Sequence, residues 1–115
     1  MRVEVYAGDL LIGRGTLISD DPPMGGASGP FEPSGAYLCH VHASELDGAQ
    51  NEAAGDLNLV VKSDDYGIIH CATVWILDFE NTLRERQILL AGIPYPQYEA
   101  WFGGDPAFKA YYPKT

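Results

Sequence analysis

The sequence predicts an α+β domain: a mainly antiparallel β-sheet, made of an N-terminal hairpin and a central meander, packed by short C-terminal helices. Three observations support this class. Apolar and polar residues alternate near the N-terminus, β-branched and aromatic residues concentrate in residues 68–79, and Pro and Gly bound two short segments after residue 95. The 115 residues are expected to form a single domain, 1–115, large enough to bury a core without metal or disulfide.

The N-terminal hairpin is predicted from two runs, residues 2–6 and 10–18, joined by turn residues at 7–9. Gly13 and Gly15 interrupt the second run, which indicates a bulge or a close backbone approach. Residues 21–35 follow with four Pro and four Gly. Because Pro removes hydrogen-bond donors and Gly favours turns, this stretch predicts a long irregular loop.

Two segments of the central region remain open. Residues 36–43 fit either a strand or a short helix capped by Ser34, and residues 44–56 fit a short helix or a loop. Residues 57–62 and 68–79 then predict a hairpin with a long second strand.

After this hairpin, residues 86–93 predict a third strand. A helix over residues 81–91, with Gly92 just past its end, fits the same stretch. At the C-terminus, Pro96 opens a short helix through Phe102. Asp105 is predicted to cap a second short helix that starts at Pro106 and reaches Tyr112.

Aromatic residues concentrate in these last segments, which hold seven of the chain's 13. One interpretation is that the helices pack this aromatic face on the sheet as part of the core. The alternative is an exposed aromatic patch that serves as a groove or an assembly interface, formed by Tyr95, Tyr98, Trp101 and Phe102.

The net charge of −9 is concentrated in one segment, since residues 15–61 contain seven acidic residues and no Lys or Arg. The remaining chain has nine acidic and seven basic residues. This charge argues against binding to nucleic acid or to an anionic membrane. The segment is either a solvated surface or an acidic face that docks a basic protein. Its acidic residues are Asp20, Asp21, Glu32, Glu45, Asp47, Glu52 and Asp56.

All three histidines and both cysteines fall in residues 39–42 and 70–71. If both stretches are neighbouring strands, alternation points the cysteines into the core and brings His40, His42 and His70 to one face. Three converging imidazoles would bind Zn or another transition metal. If residues 36–43 are helical, His40 and His42 diverge; without this metal site, no cofactor is expected.

Catalytic motifs are not recognisable. The sequence Gly-Gly-Ala-Ser-Gly lacks the Lys-Ser/Thr of a phosphate-binding loop, and G-x-S-x-G, H-E-x-x-H and EF-hand patterns do not occur. Asp78 closes the most apolar strand and is expected to cap the turn that follows. The two cysteines and the charged start of the chain predict a cytoplasmic protein with reduced thiols.

Two stretches carry a resemblance: Asp-Pro-Pro-Met-Gly at residues 21–25, and Gly-Ile-Pro-Tyr-Pro at residues 92–96 followed by Tyr98, Glu99 and Phe102. Together they resemble a group of small bacterial proteins of no assigned function. The resemblance implies a stand-alone bacterial domain and implies no activity. We also expect a cis peptide bond at Ile93-Pro94 or Tyr95-Pro96.

These features predict a non-catalytic protein-interaction module of small size, of inhibitor or immunity type, that binds a basic protein. The alternative is a small metal-binding domain or enzyme that uses the His cluster. A third hypothesis is a structural subunit that assembles through the C-terminal aromatics. The partner's identity and the oligomeric state do not follow from the sequence.

Overall fold

The computed structural model describes residues 1–55 and 57–112, which form the predicted α+β fold. The strands are β1 (Arg2–Ala7), β2 (Leu10–Thr16), β3 (Ile18–Asp21), β4 (Gly26–Pro33), β5 (Glu45–Leu46), β6 (Ala49–Gln50), β7 (Leu59–Ser63), β8 (Gly67–Ile68), β9 (Thr73–Phe79) and β10 (Glu85–Ala91). The α-helices are α1 (Cys39–His42), α2 (Glu80–Leu83), α3 (Gln97–Phe102) and α4 (Pro106–Tyr111). Short 3-10 turns lie at Pro22–Met24 and Glu52–Ala54.

In the described residues the strands form one sheet in the order β6-β5-β9-β10-β4-β2-β1-β7-β8, and β3 pairs with β4. All pairs are antiparallel except β5 with β9. The predicted N-terminal hairpin is confirmed. Its register shifts opposite Val5 and Tyr6, so that Ile12 is the extra residue beside Gly13. No helix in the described part of the chain is long and apolar enough to cross a membrane.

The prediction of an irregular loop over residues 21–35 is wrong, because β4 occupies most of it. This strand pairs with β3 and β10 through its first half and with β2 through its second half. Glycine makes the crowding possible: a Cβ on Gly29 would overlap the Thr16 carbonyl oxygen, and one on Gly13 would lie 2.5 Å from the Phe31 ring. The glycines therefore serve close strand packing here rather than turns.

The predicted strand over residues 68–79 is interrupted. Gly67–Ile68 pairs with β7, whereas Thr73–Phe79 pairs with β10 and β5. Between them the chain leaves the ladder, and the side-chain alternation changes phase. The alternation that points Cys71 into the core also predicts a buried Trp75. However, Ile76 and Asp78 are buried while Trp75 is 49% exposed, so the predicted apolar face of this strand is also wrong.

The C-terminal helices are confirmed at both predicted positions. Tyr98 and Phe102 of α3 and Phe108 of α4 are buried, which places them in the core with residues from six strands. The Tyr98 hydroxyl donates to the Gly26 carbonyl at 2.6 Å and also contacts the Ser19 hydroxyl. These contacts fix α3 to the sheet.

The two stretches that carry the resemblance, residues 21–25 and 92–96, are in contact. The Gly92 amide donates to the Met24 carbonyl, and the Ile93 amide donates to the Gly25 carbonyl. Gly25 adopts a φ of 60°, and a Cβ there would lie 2.5 Å from the Ile93 carbonyl oxygen. The Tyr95-Pro96 peptide bond is cis.

Candidate functional site

The histidines that predicted a metal site occupy three different environments. Residues 39–42 are the helix α1, which settles the open alternative in favour of a helix. His40 is exposed, whereas His42 is buried and its Nδ1 accepts the Leu38 amide at 2.9 Å. His70 is exposed in the segment between β8 and β9. Across residues 1–55 and 57–112, no three His, Cys, Asp or Glu side chains are grouped so that they could hold a metal ion.

Both cysteines are free thiols and partly exposed. Cys71 packs against the core, whereas Cys39 is not among the residues that contact the core cluster in the described part of the chain. Cys71 donates to the Thr73 carbonyl at 3.6 Å, and burial raises the pKa of its thiol. A raised pKa disfavours the thiolate that a nucleophilic cysteine needs.

The acidic residues of the segment 15–61 lie in three parts of the fold. Asp20 and Asp21 end β3, and Glu32 lies on β4 opposite Arg14. The other described members, Glu45, Asp47 and Glu52, lie after α1 in residues 44–55, a segment that we call the excursion. Asp56 lies outside the described residues.

The aromatic residues proposed as a patch are divided between core and surface. Tyr98 and Phe102 are buried, Trp101 is half-buried and stacks on Tyr66 at 5.2 Å, and Tyr95 is 45% exposed. The Tyr95 hydroxyl donates to the Pro22 carbonyl. The interpretation that these aromatics belong to the core therefore holds for Tyr98 and Phe102.

A groove runs between the acidic excursion and the start of β9. Its larger part has a volume of about 700 Å³ and its smaller part about 320 Å³, and the two share Leu57, Leu59, Ala72 and Val74. We call this continuous cleft the β9 groove. A volume of this order accommodates a small molecule or a few residues of a peptide.

One wall of the β9 groove consists of polar side chains from the excursion. Ser44, Glu45, Gln50 and Asn51 line it, and Glu45 is the one ionisable side chain among the described residues around the larger part. The opposite wall carries Val74 and Trp75 of β9, and the floor is apolar at Leu57 and Leu59. The cleft thus offers an apolar strip beside acidic and amide groups.

Asn51 holds the excursion in place. Its side-chain Nδ2 donates to the His40 and Ala43 carbonyls at 3.0 and 2.9 Å, and its backbone N–H donates to the Ser44 carbonyl. The Ser44 hydroxyl accepts the Ile76 amide at 3.1 Å, and the Ser44 amide donates to the Ile76 carbonyl. The wall is therefore fixed to both α1 and β9.

A buried ionic network supports the far end of β9. The Asp78 carboxylate is 4% exposed and accepts hydrogen bonds from the Tyr37 hydroxyl at 2.7 Å, Arg86 Nε at 3.1 Å and the Glu80 amide at 3.0 Å. Burial alone would raise the pKa of Asp78, but these donors together hold it below its usual value. Burial and the neighbouring Asp78 raise the pKa of Tyr37.

Asp78 caps the turn through the Glu80 amide, as predicted, but the sequence did not indicate its other partners. Arg86 lies directly opposite Asp78 in the β9–β10 pair, and Tyr37 comes from a segment 41 residues away. The carboxylate is thus fully occupied by these three hydrogen-bond donors. The network stabilises the fold and presents no free acid or base.

The β9 groove was not predicted either. The signal available in the sequence was Trp75, a large residue within a strand, but the assumed alternation directed it into the core. Comparison with known proteins adds no template: no family model matches the chain, and no curated protein or solved structure is significantly similar to it.

Proposed function

We propose that this protein is an acidic, non-catalytic interaction module that binds a basic segment of a partner protein in the β9 groove. The observation that carries the proposal is the position of the groove beside the excursion, which holds Glu45, Asp47 and Glu52 and no basic residue. Opposite charge would steer a Lys- or Arg-rich segment to this site.

The chemistry of the lining supports a polypeptide ligand over a reacting substrate. The larger part of the groove has a single carboxylate in its described lining, Glu45, among amide, hydroxyl and apolar groups. The smaller part adds His70 and Cys71, but burial raises the pKa of the Cys71 thiol, which disfavours a nucleophilic thiolate. Exposed Trp75 adds an apolar surface of the kind that anchors protein ligands.

The proposal includes a cytoplasmic setting, which the two free thiols support. It excludes nucleic acid as the ligand, because the same segment would repel phosphates. The resemblance noted above remains a hypothesis of a stand-alone bacterial domain and contributes nothing to the site.

A defined peptide tests the proposal. We expect a short synthetic peptide of alternating lysine and valine to bind, and a peptide of alternating glutamate and valine not to bind. Isothermal titration and Trp75 fluorescence in a Trp101→Phe variant, which retains one tryptophan, give independent affinities. Raising the salt to about 0.5 M should weaken binding of the lysine peptide about fivefold or more, since exposed charges are screened.

Glu45→Gln is the decisive variant, and Glu32→Gln is its matched control. Both residues belong to segment 15–61, but only Glu45 lines the groove. Because one surface charge pair is lost, Glu45→Gln should weaken binding of the lysine peptide about two- to fivefold. Glu32→Gln should bind the peptide with the same affinity as the native protein. Equal affinity of the lysine and glutamate peptides would refute the proposal.

A further inference from the structure

Strand β9 is covered unevenly along its two edges. β10 pairs with it over its whole length, from Thr73 to Phe79. On the other edge, β5 pairs only with Leu77 and Asp78, and Ser44 bonds to Ile76. The first three residues of β9 therefore have no neighbouring strand on that side in the described residues.

Backbone alternation identifies which groups are left open. The Ile76 amide and carbonyl and the Asp78 carbonyl all bond to the excursion, so even-numbered residues of β9 direct their peptide groups away from β10. In an antiparallel ladder this direction repeats every second residue. The Val74 N–H and C=O therefore face the β9 groove, and neither has a partner among residues 1–55 and 57–112.

The edge of β7 that faces the β9 groove also has backbone groups with no neighbouring strand in the described residues. The Val61 carbonyl accepts the Ile69 amide, and the Asn58 carbonyl accepts the Gly8 amide on the β1 side. By the same alternation, Leu59 directs its N–H and C=O away from β1. The β8 ladder reaches only Lys62 and Ser63, so the Leu59 groups also open into the groove.

An open strand edge selects one kind of ligand. A row of free backbone N–H and C=O groups pairs with the backbone of another extended chain, and the flanking side chains then provide specificity. The outermost strands β6 and β8 are poorer sites, because they contain two residues each. Strand β3, which among the described strands pairs only with β4, packs against α4, and its Ser19 amide donates to the Asp105 carboxylate.

We propose that the partner segment binds in the extended conformation and adds a strand to the free edge of β9, with its backbone paired to the Val74 N–H and C=O. This inference rests on the proposed function and specifies its binding mode. The carboxylates of the excursion, Glu45, Asp47 and Glu52, favour a basic strand, and the apolar strip at Leu57, Leu59 and Val74 favours a strand in which apolar and basic residues alternate.

Backbone methylation of the lysine–valine peptide tests the pairing. N-methyl groups on every second residue block one edge of the added strand, and the complementary set blocks the other edge. We expect at least one of these two peptides to bind tenfold or more weakly than the parent. Parent-like affinity for both, within a factor of two, would overturn strand addition.

Amide hydrogen exchange in the unmodified protein provides a second readout that does not depend on a variant folding. Saturation with the parent peptide should slow exchange of the Val74 amide tenfold or more, and leave the Arg14 amide unchanged as a remote reference. An unchanged Val74 amide in the presence of bound peptide contradicts the strand while leaving the interaction module intact. Failure of the parent peptide to bind at all contradicts the proposed function itself.

Discussion

At the residue scale, Asp78 shows how a carboxylate is accommodated beside an apolar core. Its three donors come from Tyr37, Arg86 and the Glu80 backbone. Breaking a buried ion pair by removing one partner is costly, because the other charge stays desolvated. Asp78→Asn should therefore lower the free energy of unfolding by about 3 kcal/mol in urea titrations at neutral pH.

The pH dependence of this effect has a definite sign. Because the pKa of Asp78 is lowered in the folded state, its contribution is complete above the ordinary value of 3.8 and is lost as pH falls below it. The stability gap between the native protein and Asp78→Asn should narrow over that acid range. Asp64→Asn, an exposed change, should leave stability within about 0.5 kcal/mol of native.

His42 is a second residue whose protonation is coupled to the fold. Burial lowers its pKa, and Nδ1 already accepts the Leu38 amide, so the folded protein favours the neutral ring. The unfolded chain takes up a proton near pH 6.5, so stability is complete above that pH and falls below it, down to the lowered pKa.

His42→Gln should remove this part of the pH dependence, whereas His40→Gln, an exposed change on the same helix, should retain it. Thermal melting between neutral pH and about pH 5 measures the difference. Identical profiles for the native protein and His42→Gln would contradict the assignment to this ring.

At the scale of elements, β4 depends on close approach rather than on strand propensity. Gly29→Ala places a methyl group on the Thr16 carbonyl oxygen, which belongs to the backbone and has little freedom to move. We expect a loss of about 3 kcal/mol in unfolding free energy, in the range of severe overpacking. Gly35→Ala is the control, because nothing lies within 4 Å of a Cβ there. Equal stability of the two variants would show that β4 is not packed as described.

The elements also show what the sequence could predict. The C-terminal helices follow from local signals, since Pro96 precedes α3 and Asp105-Pro106 begins α4. Strand β4 has no such signal, because its glycines are read as turn formers until the strands that crowd it are known. The phase of β9 failed for a related reason: the break at residues 69–72 resets the alternation.

The candidate site depends on contacts between residues that lie still further apart in the sequence. The Asp105 side chain, predicted to cap α4, instead accepts the Ser19 amide 86 residues earlier in the chain. In the same way, the β9 groove exists because β7, β9 and the excursion meet, and no local pattern reports such a meeting. The local acidity was readable from composition, but the open backbone edge beside it was not.

At the scale of the whole molecule, acidity and an open strand edge coincide at one cleft. The described acidic residues outside the excursion are placed elsewhere, with Glu32 opposite Arg14 and Asp20 and Asp21 at the end of β3. A ligand attracted only by overall charge would contact all of these places. A ligand that recognises the β9 groove would contact only its walls.

Chemical-shift mapping of the lysine–valine peptide on the isotopically labelled protein tests this distinction most directly. We expect saturable shifts confined to the walls of the groove, at residues 44–45, 50–51 and 72–75, with Arg14 and Tyr111 unaffected. Shifts spread over Asp20, Glu32 and the groove alike, or confined to the C-terminal aromatics, would contradict it.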